Sequence, residues 1–103
     1  MDLTELDAFV SSLEGVRRRS SGGLLQWRRR GRLVARQLDE QHVVIRSPFD
    51  TRDVLVHQFP DTFSVPTRFS KHMMVVADLA VGSADAIEEA VVVAWRFQAH
   101  HDG

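Results

Sequence analysis

Leu24-Leu25-Gln26-Trp27-Arg28-Arg29-Arg30-Gly31-Arg32-Leu33-Val34-Ala35-Arg36-Gln37-Leu38 is the stretch on which the fold turns. Two extended runs, Leu24–Arg29 and Arg32–Leu38, flank an Arg30-Gly31 pair, and glycine readily takes the positive φ that a tight hairpin turn demands. His42–Arg46 follows after Asp39-Glu40-Gln41, so the segment reads as a three-stranded antiparallel meander. A two-residue turn and a longer bulged one both fit, which leaves the register open by one residue. Upstream, Val16–Ser20 could extend the sheet. Its arginine run, leading into Ser20-Ser21-Gly22-Gly23, reads better as a solvated edge that enters a loop.

On either side of the meander the period changes. Leu3, Leu6, Phe9, Val10 and Leu13 recur at three- and four-residue intervals, which makes one helical stripe. Asp2 or Thr4 can cap that helix, Glu5 and Asp7 suit its positive end, and Gly15 stops it. After Pro48 a short helix is expected, capped by Asp50, with Val54, Leu55 and Phe59 on its apolar side and Pro60 at its end. Phe63-Ser64-Val65-Pro66 fits a short edge strand, where proline is tolerated. His72–Leu79 reads as a buried strand, and Ser83 caps a long final helix with Ile87, Val91, Ala94, Trp95 and Gln98 on one face.

The predicted order is α-β-β-β-α-β-β-α. This is an α+β fold: a two-layer α-β3-α-β2-α domain, an antiparallel sheet with helices on one side. Residues 1–103 form a single domain with a frayed tail over 99–103. A chain of this size buries roughly two-thirds of its unfolded surface and needs no staples. It has none, because cysteine is absent, which suits a reducing compartment. Met1-Asp2-Leu3-Thr4-Glu5 lacks the basic flank of a signal peptide, and no apolar run approaches the roughly 20 residues of a membrane span. The expectation is a cytoplasmic protein with no membrane contact.

The net charge of −1 conceals an uneven distribution. Between Gly15 and Arg46 nine arginines face only Asp39 and Glu40, a surplus of seven positive charges. The flanking segments are both acidic. Catalytic chemistry finds no support: there is no G-x-S-x-G, no P-loop, no G-x-G-x-x-G and no H-E-x-x-H. His42, His57, His72, His100 and His101 lack metal-ligand spacing and are assigned structural or surface roles. Ser21-Gly22-Gly23 is too short for a phosphate cradle, and Glu88-Glu89 with Asp50 and Asp53 are explained by helix starts. The chain is therefore read as non-enzymatic, without cofactor or metal.

The arginines are the candidate site. Arg28, Arg29, Arg30, Arg32 and Arg36 surround one hairpin, with Arg17, Arg18 and Arg19 as flanking contacts. Guanidiniums on a β-ribbon can hold phosphates, and each phosphate neutralised releases counterions. Trp27 is read as core, with base stacking as the alternative.

Motif order adds a resemblance. Pro60-Asp61-Thr62-Phe63-Ser64-Val65-Pro66, the Met73-to-Leu79 strand and Ala94-Trp95-Arg96 look like the MmcQ/YjbR family of small bacterial proteins. Leu13-Glu14-Gly15-Val16 stands at that family's L-P-G-V helix exit, and Trp27 through Ala35 is similar to its F-x-V-x-G-K-x-F-A hairpin. The likeness spans about residues 3–99 and consists of short, mostly structural motifs. It implies a YjbR-like domain, comparable to frataxin-like and secretion-chaperone-like folds, a DNA-binding role, and no agreed catalytic residues. Arg29 and Val34 depart from the family's valine and larger aromatic, and the segment around Lys71-His72 lacks its usual aromatic. His100-His101-Asp102-Gly103 replaces a basic motif after the last helix.

The expected function is thus a DNA-binding module of low sequence specificity. Two alternatives remain. One is a protein-interaction or chaperone-like adaptor, acting on an acidic protein partner or as a homodimer. The other is a small-ligand binder near Trp27, His72 and Trp95.

Overall fold

Two consecutive two-residue turns organise the first half of the sheet. Arg30 and Gly31 have φ of 52° and 79°, and Gly22 and Gly23 have φ of 59° and 81°. Successive positive φ values match the right-handed twist of the strands they join, so each pair closes a hairpin. Gly22-Gly23 therefore ends a strand where a loop was expected, and Val16–Ser21 pairs along its whole length with Leu24–Arg29.

The computed structural model describes residues 1–99. Its elements are α1 (Leu3–Ser11), β1 (Val16–Ser21), β2 (Leu24–Arg29), β3 (Arg32–Gln37), β4 (His42–Arg46), α2 (Phe49–Gln58), β5 (Phe63–Ser64), a 3-10 turn (Thr67–Phe69), β6 (Met74–Asp78) and α3 (Ala84–Ala99). The fold is α+β, with one antiparallel six-stranded sheet in the order β1-β2-β3-β4-β6-β5. It holds one strand more than the three-plus-two plan, because β1 is a full member of the sheet. Ala99 closes α3, and the rest of the expected frayed tail lies outside the described residues.

Local chemistry sets the helix ends. Asp2 accepts from the Glu5 amide while Glu5 accepts from the Asp2 amide, a reciprocal box at the start of α1. Ser83 Oγ accepts from the Ala86 amide at the start of α3. The second helix departs from expectation. It begins at Phe49 behind Pro48, Asp50 falls within its first turn, and Val54 points outward at 52% exposure. Leu55, Val56 and Phe59 make its contacts with the core instead.

The main core lies between sheet and helices. Leu6 and Val10 of α1 meet Trp27, Val34, Ala35, Val43, Ile45, Val75 and Ala77 of the sheet and Ile87, Val91 and Ala94 of α3. Between Trp27 and Arg28 the register with β3 slips: Trp27 faces Ala35, Arg28 faces Leu33, and Val34 is the extra residue. The bulge lets Val34 and Ala35 both enter the core, and it reverses the alternation of β3 beyond that point. On the opposite face Val44, Phe69 and Val76 form a second, smaller cluster beneath the 3-10 turn. No helix among the described residues is long and apolar enough to cross a membrane.

Candidate functional site

Alternation along β1 and β2 sorts the arginines. Trp27 is fully buried in the core on the helix side, and Arg18 is its cross-strand partner. Arg18 therefore lies on that side too, and its Nη1 contacts Asp7 of α1 at 2.5 Å. Trp27 Nε1 donates to the same carboxylate at 2.9 Å. This settles Trp27 as core, so the indole is not available to stack on a base. Burial alone would raise the Asp7 carboxyl, but hydrogen bonds from Trp27, Ser11 and Arg18 and the Arg18 charge hold it below the ordinary value. Arg29 also turns inward. It stacks 4.2 Å above the Trp95 ring and donates to the Trp95 carbonyl at 2.9 Å. Trp95 Nε1 in turn donates to the Glu14 carbonyl at 2.7 Å.

The helix-free face receives the remainder. Arg17 pairs with Arg28, Arg19 with Gln26, and Gln26 with Arg36, so these residues share one side of three adjacent strands. Arg17 and Arg19 are exposed and form no hydrogen bond or ion pair with any described residue. Arg28 is held in place by Nε to Gln26 Oε1 at 3.2 Å and Nη1 to the Gly31 carbonyl at 2.9 Å. Arg36 lies 5.7 Å from the Phe69 ring, which closes the apolar end of this face. Two like charges directly opposite, as in Arg17 and Arg28, destabilise a sheet. An anion between them reverses the sign of that term.

Arg30 and Arg32 stand at the hairpin tip and the first position of β3, both exposed. A groove of about 690 Å³ runs from Gly15 along Arg17, Arg18 and Arg19 to Arg28, Arg30 and Gly31. A second cleft of about 380 Å³ shares Arg28 and adds Arg32 and Arg46. Seven of the eight expected arginines line one of the two or share the open face; Arg29 alone is turned fully under α3. Arg46 was counted in the charge surplus but not among the site residues. Its signal was present in the strand period, since it lies two positions from Val44 on the open face.

At the other end of the sheet two carboxylates, Asp39 and Asp78, are engaged within the molecule. Asp39 Oδ1 accepts from the Gln41 and His42 amides at 2.8 Å each and from His42 Nδ1 at 2.9 Å. Asp78 accepts from the Gln41 side chain and from the Ala80 and Val81 amides, with His42 Nε2 at 3.6 Å. The Gln41 amide, then the His42 ring, keep the Asp39 carboxyl below its usual value. For Asp78 the Gln41 side chain leads, followed by the two loop amides and the His42 charge. His42 thus serves a turn, His57 and His72 are exposed, and His100 and His101 lie outside the described residues. Trp27, His72 and Trp95, the expected lining of a ligand pocket, do not line either arginine cleft.

The chain matches no protein-family model, and no curated protein or solved structure gives a significant match.

Proposed function

We propose that the chain is a non-enzymatic binding module for duplex DNA, gripping phosphates with the helix-free face of β1, β2 and β3. Arg17, Arg19, Arg28 and Arg36 are the principal contacts, with Arg30 and Arg32 at the tip and Arg18 at the rim of the groove. The carrying observation is that Arg17 and Arg19 stand beside Arg28 on an open sheet face with no acceptor from the described part of the molecule. Arg29, stacked on Trp95, shapes the sheet and is not assigned a contact. The MmcQ/YjbR-like motif order agrees with this role, and on this reading the domain is a member of that family with one added strand.

Phosphate contacts position a protein without reading sequence, so low selectivity follows. A salt titration of duplex binding tests the proposal. Each neutralised phosphate contributes about −0.9 to the logarithmic slope, so three or four contacts give roughly −3. Absence of binding at low salt, or a slope near zero, removes the duplex and leaves an acidic protein surface as the occupant of this face.

A further inference from the structure

We infer that the second cleft, between the last turn of α3 and the end of β4, binds a small carboxylate carried on an apolar body, with Arg46 as the group that holds the anion. Among the described residues, three arginines have an Nε shut away from solvent without a partner: Arg29, Arg46 and Arg52. Two of them are satisfied at their terminal nitrogens. Arg29 reaches the Trp95 carbonyl, and Arg52 reaches the carbonyls of Phe69, Ser70 and His72. Arg46 differs, because its side chain makes no hydrogen bond and no ion pair with any described residue.

A half-buried guanidinium without an acceptor is an uncompensated cost, since lost hydration is replaced by nothing. Burial accordingly pushes the Arg46 pKa below its ordinary value. The cleft explains what would compensate it. Its cations are Arg28, Arg32 and Arg46, its apolar wall is Leu33, Met73 and Phe97, and no carboxylate among the described residues lines it. Gln98, the remaining lining residue, has its amide committed to the Leu33 carbonyl. At about 380 Å³ the space suits a small molecule. A planar carboxylate matches the guanidinium fork, and an apolar body matches the wall. Inorganic phosphate would leave Leu33, Met73 and Phe97 without contact.

The site shares Arg28 and Arg32 with the proposed DNA contacts, but Arg46, which holds the anion, is not one of them, and Arg17 and Arg19 do not line it. The test is an amide chemical-shift titration of the full chain with benzoate, with benzyl alcohol and inorganic phosphate as comparison probes. Benzoate should move the Leu33, Arg46 and Gln98 amides saturably, and benzyl alcohol and phosphate should bind about tenfold more weakly or worse. Arg46→Met keeps the apolar stem and removes the charge, and it should weaken benzoate by about tenfold or more, the scale of a lost charge-assisted hydrogen bond. Arg46→Lys should retain part of the affinity, which guards against misfolding of the first variant. Equal binding of the alcohol, equal binding of phosphate, or unchanged benzoate affinity in folded Arg46→Met would each overturn the assignment. The duplex salt slope of Arg46→Met, read in parallel, reports on the DNA proposal separately.

Discussion

The two ends of this sheet handle charge in opposite ways. Around the β3–β4 turn, Asp39 and Asp78 each accept from two backbone amides and meet Gln41 or His42 as well. On β1 and at the end of β4, the side chains of Arg17, Arg19 and Arg46 find no acceptor among the described residues, and none pairs with Asp85, Glu88 or Glu89. Backbone amides are donors, so a loop can satisfy a carboxylate from its own chain. A guanidinium needs acceptors, and the carbonyls of the inner strands are already used in the ladder. The Asp39 and Asp78 carboxylates are therefore satisfied within the molecule, whereas the Arg17, Arg19 and Arg46 guanidiniums are left to solvent or to a ligand. A net charge of −1 averages over this asymmetry and hides it.

The sharpest way to break the comparison is to reverse charge at each end. Arg17→Glu with Arg19→Glu should lower duplex affinity by about a hundredfold or more at low salt. Asp39→Lys with Glu40→Lys should change it by only about threefold or less, since these residues lie at the far turn. Fluorescence anisotropy reads both, and equal losses would mean that no face is singled out. Next in size, Asp78→Ala removes the acceptor of the Ala80 and Val81 amides, which water can reach, and should cost about 0.5–1.5 kcal/mol in urea unfolding. Arg46→Met, at the other end, should leave stability unchanged or raised.

Acid should reveal the same division. The Asp39 and Asp78 carboxyls are depressed in the folded state. Their contribution is present above the unfolded carboxylate value of about 4 and is lost as pH falls through the lower folded values. Asp78→Asn should flatten the acid limb of a stability–pH curve, whereas removing Arg17 or Arg19, whose side chains touch no carboxylate among the described residues, should leave its shape alone. The smallest effect belongs to Arg18→Ala. Its side chain is half exposed, so loss of the Asp7 contact should cost about 0.5 kcal/mol, and duplex affinity should fall less than in Arg17→Ala.

Much of the scaffold was legible because local signals agreed. Asp2 with Glu5, Ser83, Arg30-Gly31 and the Met74–Asp78 strand each announce themselves within a few residues. β1 did not, since all of it from Arg17 onward is exposed and arginine-rich and offers no apolar alternation. Its strand character comes from pairing with β2 and from the Gly22-Gly23 turn. α2 does start after Pro48, but Asp50 was misassigned as its cap, because Pro48 precedes the helix without any side-chain cap. For the site, the cluster of arginines was visible as composition, but its sorting onto two faces was not. That sorting depends on the core position of Trp27 and on the bulge at Val34, which are tertiary facts. Arg46 escaped notice because a lone arginine at a strand end looks like any solvated terminus until its surroundings are known.

β1 lies at the margin of the sheet with a neighbour on one side only. Its outer row of amides and carbonyls is a template on which another extended chain could assemble, the usual hazard of such margins. A second copy laid antiparallel along it would set Arg17, Arg18 and Arg19 against the same three residues, and that repulsion makes stacking of like molecules unfavourable. The cations proposed to hold phosphates would thus also act as a safeguard against fibre growth, one that weakens as ionic strength rises and the charges are screened.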